Sequence, residues 1–304
     1  MKPTGQDLRL DFAGSVTTSL VPNQAHSGRY QWWSNRGDNS NMTLTRSFDL
    51  SGLQKASLEA WLWYDIEQGW DYAYVEASTD GGETWQILVA EGSTTTDNPK
   101  VLSGAKGSGN SFGPGYTGQS RAAESLHLFA GAESLHLFAE DAADSGSGDQ
   151  VSAAWIHEIF DLSPFAGRPI LVRFEYLTDD AVNGPGLCID DITIPELGYR
   201  DDIENGDGGW TARGFIRSDN TLRQPYIVQV VRVVLSADGQ EEVIVDQVPL
   251  RQVTAAIGQS VEQVGSITLR GLDESTRRVA LVISALAPST TAAAPYRYRI
   301  SPVD

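Results

Sequence analysis

The feature that most constrains this fold is the alternation of side chains along the stretch from Trp61 to Trp85. Leu58 to Tyr64 and Asp71 to Ser78 are rich in aromatic and small apolar residues with a period of two, which places alternate side chains on opposite faces of an extended strand. Helical periodicity is scarce in the rest of the chain. The pattern therefore predicts two half-buried strands within an all-β fold.

The residues from Ser78 to Trp85 form a second recognisable pattern, Ser-Thr-Asp-Gly-Gly-Glu-Thr-Trp. Asp80-Gly81-Gly82 supplies the positive φ angles of a tight hairpin. The eight residues also match the Asp-box of sialidases, in which the Asp binds turn amides and the Trp packs over the hairpin. A propeller needs several copies, and this chain has one. We therefore predict a locked structural turn.

Charge and composition limit the classes of binding partner that the chain is expected to have. The chain has 304 residues and a net charge of −18, which disfavours binding to nucleic acid or to an anionic membrane and is compatible with calcium, cationic proteins or neutral glycans. The sequence contains no run of about 18 apolar residues, so no membrane-spanning segment is predicted. The single cysteine, Cys188, is expected to be a small core residue.

The start of the chain lacks a signal-peptide core. The chain is then either intracellular or a piece of a longer protein. Its 30 glycines and eight tryptophans are typical of extracellular β-sandwiches. We therefore expect a secreted, extracellular piece.

The spacing of strand patterns predicts two domains. Residues 1–197 are expected to form an antiparallel jelly-roll β-sandwich with a long insertion at about 91–154, rich in Gly, Ser and Thr. A linker is expected at Pro195 to Gly209. Residues 198–304 are then expected to form a smaller β-sandwich of the immunoglobulin or fibronectin kind.

Two patterns that contain histidine are weak indications of a metal site. The insertion contains a direct repeat, Ala123 to Ala130 and Ala132 to Ala139, with His127 and His136 at equivalent positions. A neutral duplication explains it better than a metal site, because no positioned carboxylate or cysteine accompanies the histidines. His157-Glu158 lacks the second His that a zinc-protease helix requires, so we expect no enzyme in this chain.

Several polar residues are predicted to meet at one rim. Successive strands of an antiparallel sandwich reverse direction, so alternate loops emerge at the same end. On this argument the loops at 35–41, 65–70, 91–154 and 178–186 share one end, with the hairpin at 79–83 at the other. The predicted ligand-binding rim comprises Asn35, Arg36, Asp38, Asp65, Glu67, Trp70, Asp71, Asp179 and Asp180.

Carboxylates on loops suit a hard cation with six to eight oxygen ligands, which favours calcium. Asp190 and Asp191 are the first candidates, because burial in the last strand would require a partner or a metal; strict alternation lets only one of them face inward. Asp38, Asp71 and Asp179 are further candidates. The alternative is a solvated acidic rim of caps and Asx-turns.

The longest ordered motifs resemble a known family. These are YQWWSNRGDNSNMTLTRSFDLSG, WLWYDIEQGWDYAYVEASTDGGETW, GPGYTGQS, FDLSPFAGRPILVRFEYLTDDAVNGPGLCIDDITI and GWTARGFIRSDNTLRQPYIVQVV. They resemble the non-catalytic, MAM-like C-terminal region of immune inhibitor A-like secreted metallopeptidases. The resemblance implies a jelly roll related to carbohydrate-binding modules, secretion, a structural calcium and a zinc protease domain upstream.

The sequence thus leaves three functions open. The first is a non-catalytic, calcium-stabilised extracellular module that binds a protein or a glycan. The alternative is a structural tail of a secreted zinc metallopeptidase whose catalytic domain is absent from this chain. A glycosidase using Asp65 and Glu67 ranks last, because residues two apart on a turn seldom face each other across about 5–9 Å.

Overall fold

The computed structural model describes residues 7–93, 110–121, 153–254 and 261–303. Within them the protein is all-β, and the only helical segments are the 3-10 turns Ser163–Phe165 and Pro195–Leu197. No helix of this part of the chain is long and apolar enough to cross a membrane. The direct repeat with His127 and His136 lies outside the described residues.

The described strands are numbered in chain order. They are β1 (Leu8–Ser15), β2 (Thr17–Ser19), β3 (Gln31–Trp33), β4 (Asn41–Asp49), β5 (Ser57–Asp65), β6 (Tyr72–Ser78), β7 (Gln86–Ile87), β8 (Ile156–Asp161), β9 (Pro169–Leu177), β10 (Gly186–Ile194), β11 (Tyr199–Asp201), β12 (Thr211–Arg213), β13 (Ile216–Ser218), β14 (Thr221–Arg223), β15 (Tyr226–Leu235), β16 (Glu241–Gln247), β17 (Leu250–Thr254), β18 (Val261–Leu269), β19 (Thr276–Ala285) and β20 (Tyr296–Pro302).

The chain divides into two compact units, and the larger one, Gln24–Asp219, is a jelly roll. One sheet has the order β13-β3-β10-β5-β8, with β11 also paired to β10, and the other has the order β12-β4-β9-β6-β7. The strand pairs are antiparallel. From β3 to β10 the chain passes repeatedly from one sheet to the other, as in a jelly roll. The predicted fold class is therefore confirmed.

The core of this unit lies between the two sheets and explains the alternation in the sequence. In β5 the side chains of Leu58, Ala60 and Leu62 point into the core, and Val172 and Phe174 of β9 do the same from the other sheet. Residues two apart on a strand share a face, so the period of two in the first half of β5 corresponds to one buried face, whereas β6 is buried on both faces. Cys188, in β10, is also buried.

The Asp-box hairpin is a locked turn, as its sequence predicts. The Asp80 carboxylate accepts hydrogen bonds from the Ser78 hydroxyl (2.7 Å) and the Thr84 amide (3.0 Å). Gly82 donates its amide to the Ser78 hydroxyl oxygen and accepts from Trp85 Nε1. Hydrogen bonds from the Thr84 hydroxyl, the Thr84 amide and the Ser78 hydroxyl hold the pKa of Asp80 well below its ordinary value. Its role in the hairpin is structural.

The smaller unit combines Met1–Asn23 with Asn220–Asp304. Its described strands form a sheet of order β17-β18-β1-β20, a sheet of order β16-β15-β19 and the short pair β14-β2. Phe12 from β1 and Val228 and Val230 from β15 are part of its buried core.

This division differs from the predicted boundary at 197/198. Strand β1 pairs with β18 and β20, so the N-terminal strand belongs to the smaller unit. Strands β11 to β13 extend the jelly-roll sheets, and Trp210 and Phe215 are buried in the jelly-roll core. The segment predicted as a linker and first strand of the second domain thus supplies apolar side chains to the first, which composition alone does not reveal.

Candidate functional site

Three loops of the jelly roll meet at one end, as the strand-parity argument predicts. The Asn39 amide donates to the Asp179 carbonyl oxygen (2.5 Å), and the Gly37 amide donates to Asn183 Oδ1 (3.1 Å). The Asp179 amide donates to Asp71 Oδ1 (3.0 Å). The β3–β4, β5–β6 and β9–β10 loops are therefore joined by hydrogen bonds.

Three carboxylates converge at this junction. Glu67, Asp71 and Asp179 each offer an oxygen, and these oxygens all lie within 4.8 Å of one another. Asp71 and Asp179 are buried, whereas Glu67 is half-buried. We call these three residues the acidic cluster.

Local hydrogen bonds explain why the cluster forms. Between β5 and β6 the chain turns tightly at Gly69 (φ 81°), and the Asp71 amide donates to the Glu67 carbonyl oxygen (3.1 Å). The Thr117 hydroxyl donates to the same carbonyl (3.2 Å) and accepts from the Gly69 amide (2.6 Å). This turn brings the side chains of Glu67 and Asp71 to the same end of the sandwich.

The three carboxylates differ in how well their oxygens are satisfied. Asp71 accepts from the Tyr176 hydroxyl (3.0 Å) as well as from the Asp179 amide, and Asp179 accepts from the Ala181 amide (3.1 Å). Glu67 Oε2, by contrast, is buried and has no hydrogen-bond partner in the described part of the chain. A buried carboxylate oxygen without a donor is costly.

Burial and repulsion between neighbouring carboxylates raise the pKa values of Glu67 and Asp71. Burial raises the pKa of Asp71, and the neighbouring Asp179 raises it further, although the hydrogen bonds from Asp179 and Tyr176 oppose the shift. Burial also raises the pKa of Glu67, followed by the charges of Asp179, Asp71 and Asp180. A bound cation would act against these two shifts by favouring the ionised forms of Glu67 and Asp71.

A cleft of about 800 Å³ adjoins the acidic cluster. Its lining combines carboxylates with amides, hydroxyls and the Trp70 indole. The residues are Asn39, Ser40, Asn41, Glu67, Trp70, Asn110, Leu177, Thr178, Asp179, Asp180 and Ala181. Of the nine predicted rim residues, the structure thus brings Glu67, Trp70, Asp71, Asp179 and Asp180 to the cleft or the cluster.

The other four predicted rim residues bind neighbouring protein groups. Asn35 (φ 67°) accepts the Arg36 amide on its side-chain oxygen (2.8 Å). Arg36 donates to the Asn183 carbonyl oxygen (3.0 Å), and Asp38 accepts from the Asn183 side-chain amide. Asp65 accepts from Gln119 (3.1 Å). These four residues lie at the same end of the sandwich, but their side chains form hydrogen bonds to neighbouring protein groups and do not line the cleft.

The first metal candidates, Asp190 and Asp191, lie away from the acidic cluster. Gly186 of β10 pairs with Asp65 at the rim, and Asp190 follows four residues later, about 13 Å along the strand. Asp38 also lies outside the cluster. The structure therefore groups two of the five candidate metal ligands, Asp71 and Asp179, with Glu67.

A β-bulge interrupts the alternation at Asp190 and Asp191. The pairing of β10 with β5 slips by one residue after Asp190, and Asp191 adopts a φ of 44°. Ile189 and Ile192 both belong to the apolar core, with the two aspartates between them. Asp190 is fully buried and Asp191 is half-buried. A one-residue bulge leaves no clear mark in the sequence.

Protein groups satisfy three of the four carboxylate oxygens of this pair; Asp191 Oδ1 is buried without a hydrogen bond in the described part of the chain and lies 3.6 Å from the Arg200 guanidinium. Asp190 accepts from the amides of Ser27 (3.1 Å) and Asp191 (2.8 Å), while Asp191 Oδ2 lies 2.7 Å from His26 Nδ1. His26 stacks on Trp61 at 3.7 Å between ring centroids. Burial raises the pKa of Asp190 to about 7 despite the opposing amides. Sequence reasoning missed His26 and Tyr176, because the residues that they contact here, Asp191 and Asp71, are more than 100 positions away in the chain.

The residues of the failed zinc-protease motif lie in a strand. His157 and Glu158 occupy β8, so their side chains point to opposite faces: His157 is exposed and Glu158 is buried. A zinc-protease helix places its ligands on one face. The local geometry agrees with the sequence pattern that disfavours this motif.

With a jelly roll and an acidic rim established, the comparisons define the class of protein. The sequence matches the family described as "Immune inhibitor A-like, MAM domain" over residues 8–117 and 130–220, and the chain belongs to this family. The resemblance found in the sequence is thereby confirmed. The matched region ends at Asn220, beyond β13, in line with the inclusion of β11 to β13 in the jelly roll.

Two curated relatives match the chain at low identity. The chain is 26% identical over 193 residues to Pre-pro-metalloprotease PrtV of Vibrio cholerae serotype O1. The aligned region covers 63% of this chain and 16% of that protein. It is 25% identical over 203 residues to Immune inhibitor A of Bacillus thuringiensis subsp. alesti, covering 66% of this chain and 22% of that protein. The chain thus spans less than a quarter of the length of these curated relatives.

Proposed function

We propose that this chain is a non-catalytic, calcium-stabilised extracellular accessory module of a secreted metalloprotease, and that its rim cleft binds a protein or a glycan. The observation that carries the calcium proposal is the buried Glu67 Oε2, which has no hydrogen-bond donor among the described residues and lies beside Asp71 and Asp179. A cation would give this oxygen the partner it lacks.

The donor chemistry of the cluster fits calcium. Calcium binds carboxylate and carbonyl oxygens and accepts flexible coordination, so three carboxylates on two loops suit it. Glu67, Asp71 and Asp179 would hold the ion. When bound, it supplies two positive charges against three carboxylates and links the β5–β6 loop to the β9–β10 loop. Calcium binding would therefore stabilise the rim.

Calorimetric titration of calcium into the metal-free chain tests this site. We expect binding that Glu67→Gln weakens at least tenfold, because the variant keeps the size of the side chain and removes its charge. Asp65→Asn is the matched control on the same loop, since Asp65 binds Gln119 outside the cluster. Equal affinity of the Glu67→Gln and Asp65→Asn variants would contradict the site.

The composition of the cleft supports a ligand-binding role. Its amide and hydroxyl side chains offer donors and acceptors, and Trp70 supplies an aromatic surface of the kind that packs against sugars and peptides. A glycan array and a peptide library screened with the calcium-loaded chain test this proposal. Trp70→Ala should abolish any hit, whereas Phe112→Ala, an exposed aromatic outside the cleft lining, should retain it. Hits that survive Trp70→Ala would refute the cleft as the binding site.

The second candidate is a structural tail that helps a metalloprotease to fold. It is favoured by the relatives, which carry this region as 16% and 22% of longer metalloproteases. Expression of the parent protease with and without this region tests it: loss of folded protease on deletion, together with a blank ligand screen, would favour the tail. Full protease yield without the region would contradict it.

A further inference from the structure

The outer face of the three-stranded sheet β16-β15-β19 carries apolar side chains on all three strands, with Gln229, Gln247 and Ser284 as polar members toward one end. Strand β15 reads Tyr-Ile-Val-Gln-Val-Val-Arg-Val-Val-Leu. Its inner side chains, such as Val228 and Val230, are buried in the core of the smaller unit, and Val231 and Val233 occupy the opposite face. Strands that are apolar on both faces are typical of sheets covered on both sides.

The apolar side chains of this face are largely accessible. The strand register places seven of them together, and Val243, Val245 and Val282 are 65%, 53% and 40% exposed. The set consists of Ile227, Val231, Val233, Val243, Val245, Ala280 and Val282. We call it the valine face. A contiguous apolar patch of this kind marks an interaction surface.

Two opposite charges border the valine face. Glu241 on β16 pairs with Leu235, and Arg278 on β19 pairs with Val233, so both lie on the outer face near the same end of the sheet but at opposite edges. Neither residue forms an ion pair within the described ranges 7–93, 110–121, 153–254 and 261–303.

We propose that the valine face binds the valine face of a second copy of this chain, related by a two-fold axis parallel to strand β15. Such an axis superposes β15 on the partner's β15 and exchanges the two edges, so β16 lies over the partner's β19. Glu241 then approaches the partner's Arg278, about two residues away along the strand, and the reciprocal pair forms by symmetry.

The charge pattern selects this arrangement over the other face-to-face one. A two-fold axis across the strands would reverse their direction and place β16 over the partner's β16. Glu241 would then lie near the partner's Gln247, at the opposite end of the sheet, and would gain no ion pair. Only the axis along the strands joins apolar contact with charge complementarity.

Sedimentation of the full chain across the micromolar range tests the proposal. We expect a monomer–dimer equilibrium that Val245→Glu shifts to monomer, because the substitution puts two carboxylates into the apolar contact. Val245 is 53% exposed, so the variant should keep the wild-type melting temperature. Val89→Glu, at a valine that is 55% exposed in the larger unit, is the matched control and should still dimerise.

Charge reversal tests the axis itself. Glu241→Arg and Arg278→Glu should each weaken dimerisation about tenfold, and the double variant should recover most of the loss. Glu242→Arg changes the net charge equally on the other face of β16 and should have little effect.

A monomer at every concentration overturns the proposal. Dimers insensitive to Val245→Glu overturn it as well, and a double variant weaker than both single variants overturns the axis. These results are independent of calcium and of the rim cleft, so they leave the proposed function unaffected.

Discussion

The substitution Glu67→Gln should have opposite effects on stability with and without calcium. Its carboxylate lies within 4.8 Å of oxygens from Asp71 and Asp179. At that distance one pair of like charges costs about 0.9 kcal/mol at the dielectric constant of water and about 3.5 kcal/mol at an effective value of 20. Because Glu67 is half-buried, we take the lower end, so removing its charge should stabilise the metal-free chain by about 1 kcal/mol.

Calcium reverses this order. A ligand at about 100 times its dissociation constant stabilises the folded state by about 2.7 kcal/mol. For a unit the size of Gln24–Asp219, each kcal/mol shifts the melting temperature by about 2–4 °C, so the wild type should gain about 5–11 °C. Glu67→Gln loses a ligand of the ion, and a tenfold weaker affinity removes about 1.4 kcal/mol of that gain.

Differential scanning calorimetry in EDTA and in excess calcium measures both effects. Glu67→Gln should melt above the wild type in EDTA and gain less from calcium. Asp65→Asn, the rim control, should follow the wild type in both conditions. An equal calcium gain in the wild type and in Glu67→Gln would refute the reasoning, as would a lower melting temperature of the variant in EDTA.

Three further predictions concern the jelly roll. Trp210→Ala should destabilise the larger unit by about 3–5 kcal/mol in chemical denaturation, because Trp210 is buried in its core, whereas Ile216→Ala, at a 45% exposed position of β13, should cost little; equal effects would contradict the assignment of β12 and β13 to this unit. The folded pKa of Asp190 is raised to about 7, so its contribution to the free energy of unfolding is fully present below its ordinary pKa near 4 and is lost as the pH rises through 7. Asp190→Asn should therefore flatten the stability profile between pH 4 and 8 in urea titrations, and an unchanged slope would contradict that shift. Hydrogen bonds lower the pKa of Asp80, so its contribution is present above its ordinary pKa and is lost in acid. Asp80→Asn should reduce the acid dependence of stability in the same titrations, and an unchanged acid dependence would contradict the lowered pKa.

The sequence predicts local structure well where a period of two reports directly on burial. The alternation in the first half of β5 and the Asp-Gly-Gly hairpin follow from side-chain geometry within a few residues, and the structure confirms both. Strand β6 forms as predicted, but all of its residues are buried, so the expectation of a half-buried strand is wrong there. The parity of strand directions was enough to bring Asp71 and Asp179 to one rim. These predictions needed no knowledge of long-range pairing.

Features that depend on pairing between distant strands could not be predicted from local sequence patterns. Strand β1 pairs with β18 and β20, more than 240 residues away, and its own pattern does not say which unit it joins. The sequence pattern assigns Trp210 to the second domain, whereas the pairing of β12 with β4 places it in the jelly roll. The bulge after Asp190 inserts one residue between Ile189 and Ile192, and the three carboxylates that the structure groups together are instead those of the acidic cluster.

An anomalous difference map from crystals grown with calcium tests the central claim most directly. The account predicts a peak coordinated by Glu67, Asp71 and Asp179. A peak at Asp190 and Asp191 instead, or none at the rim under saturating calcium, would contradict it.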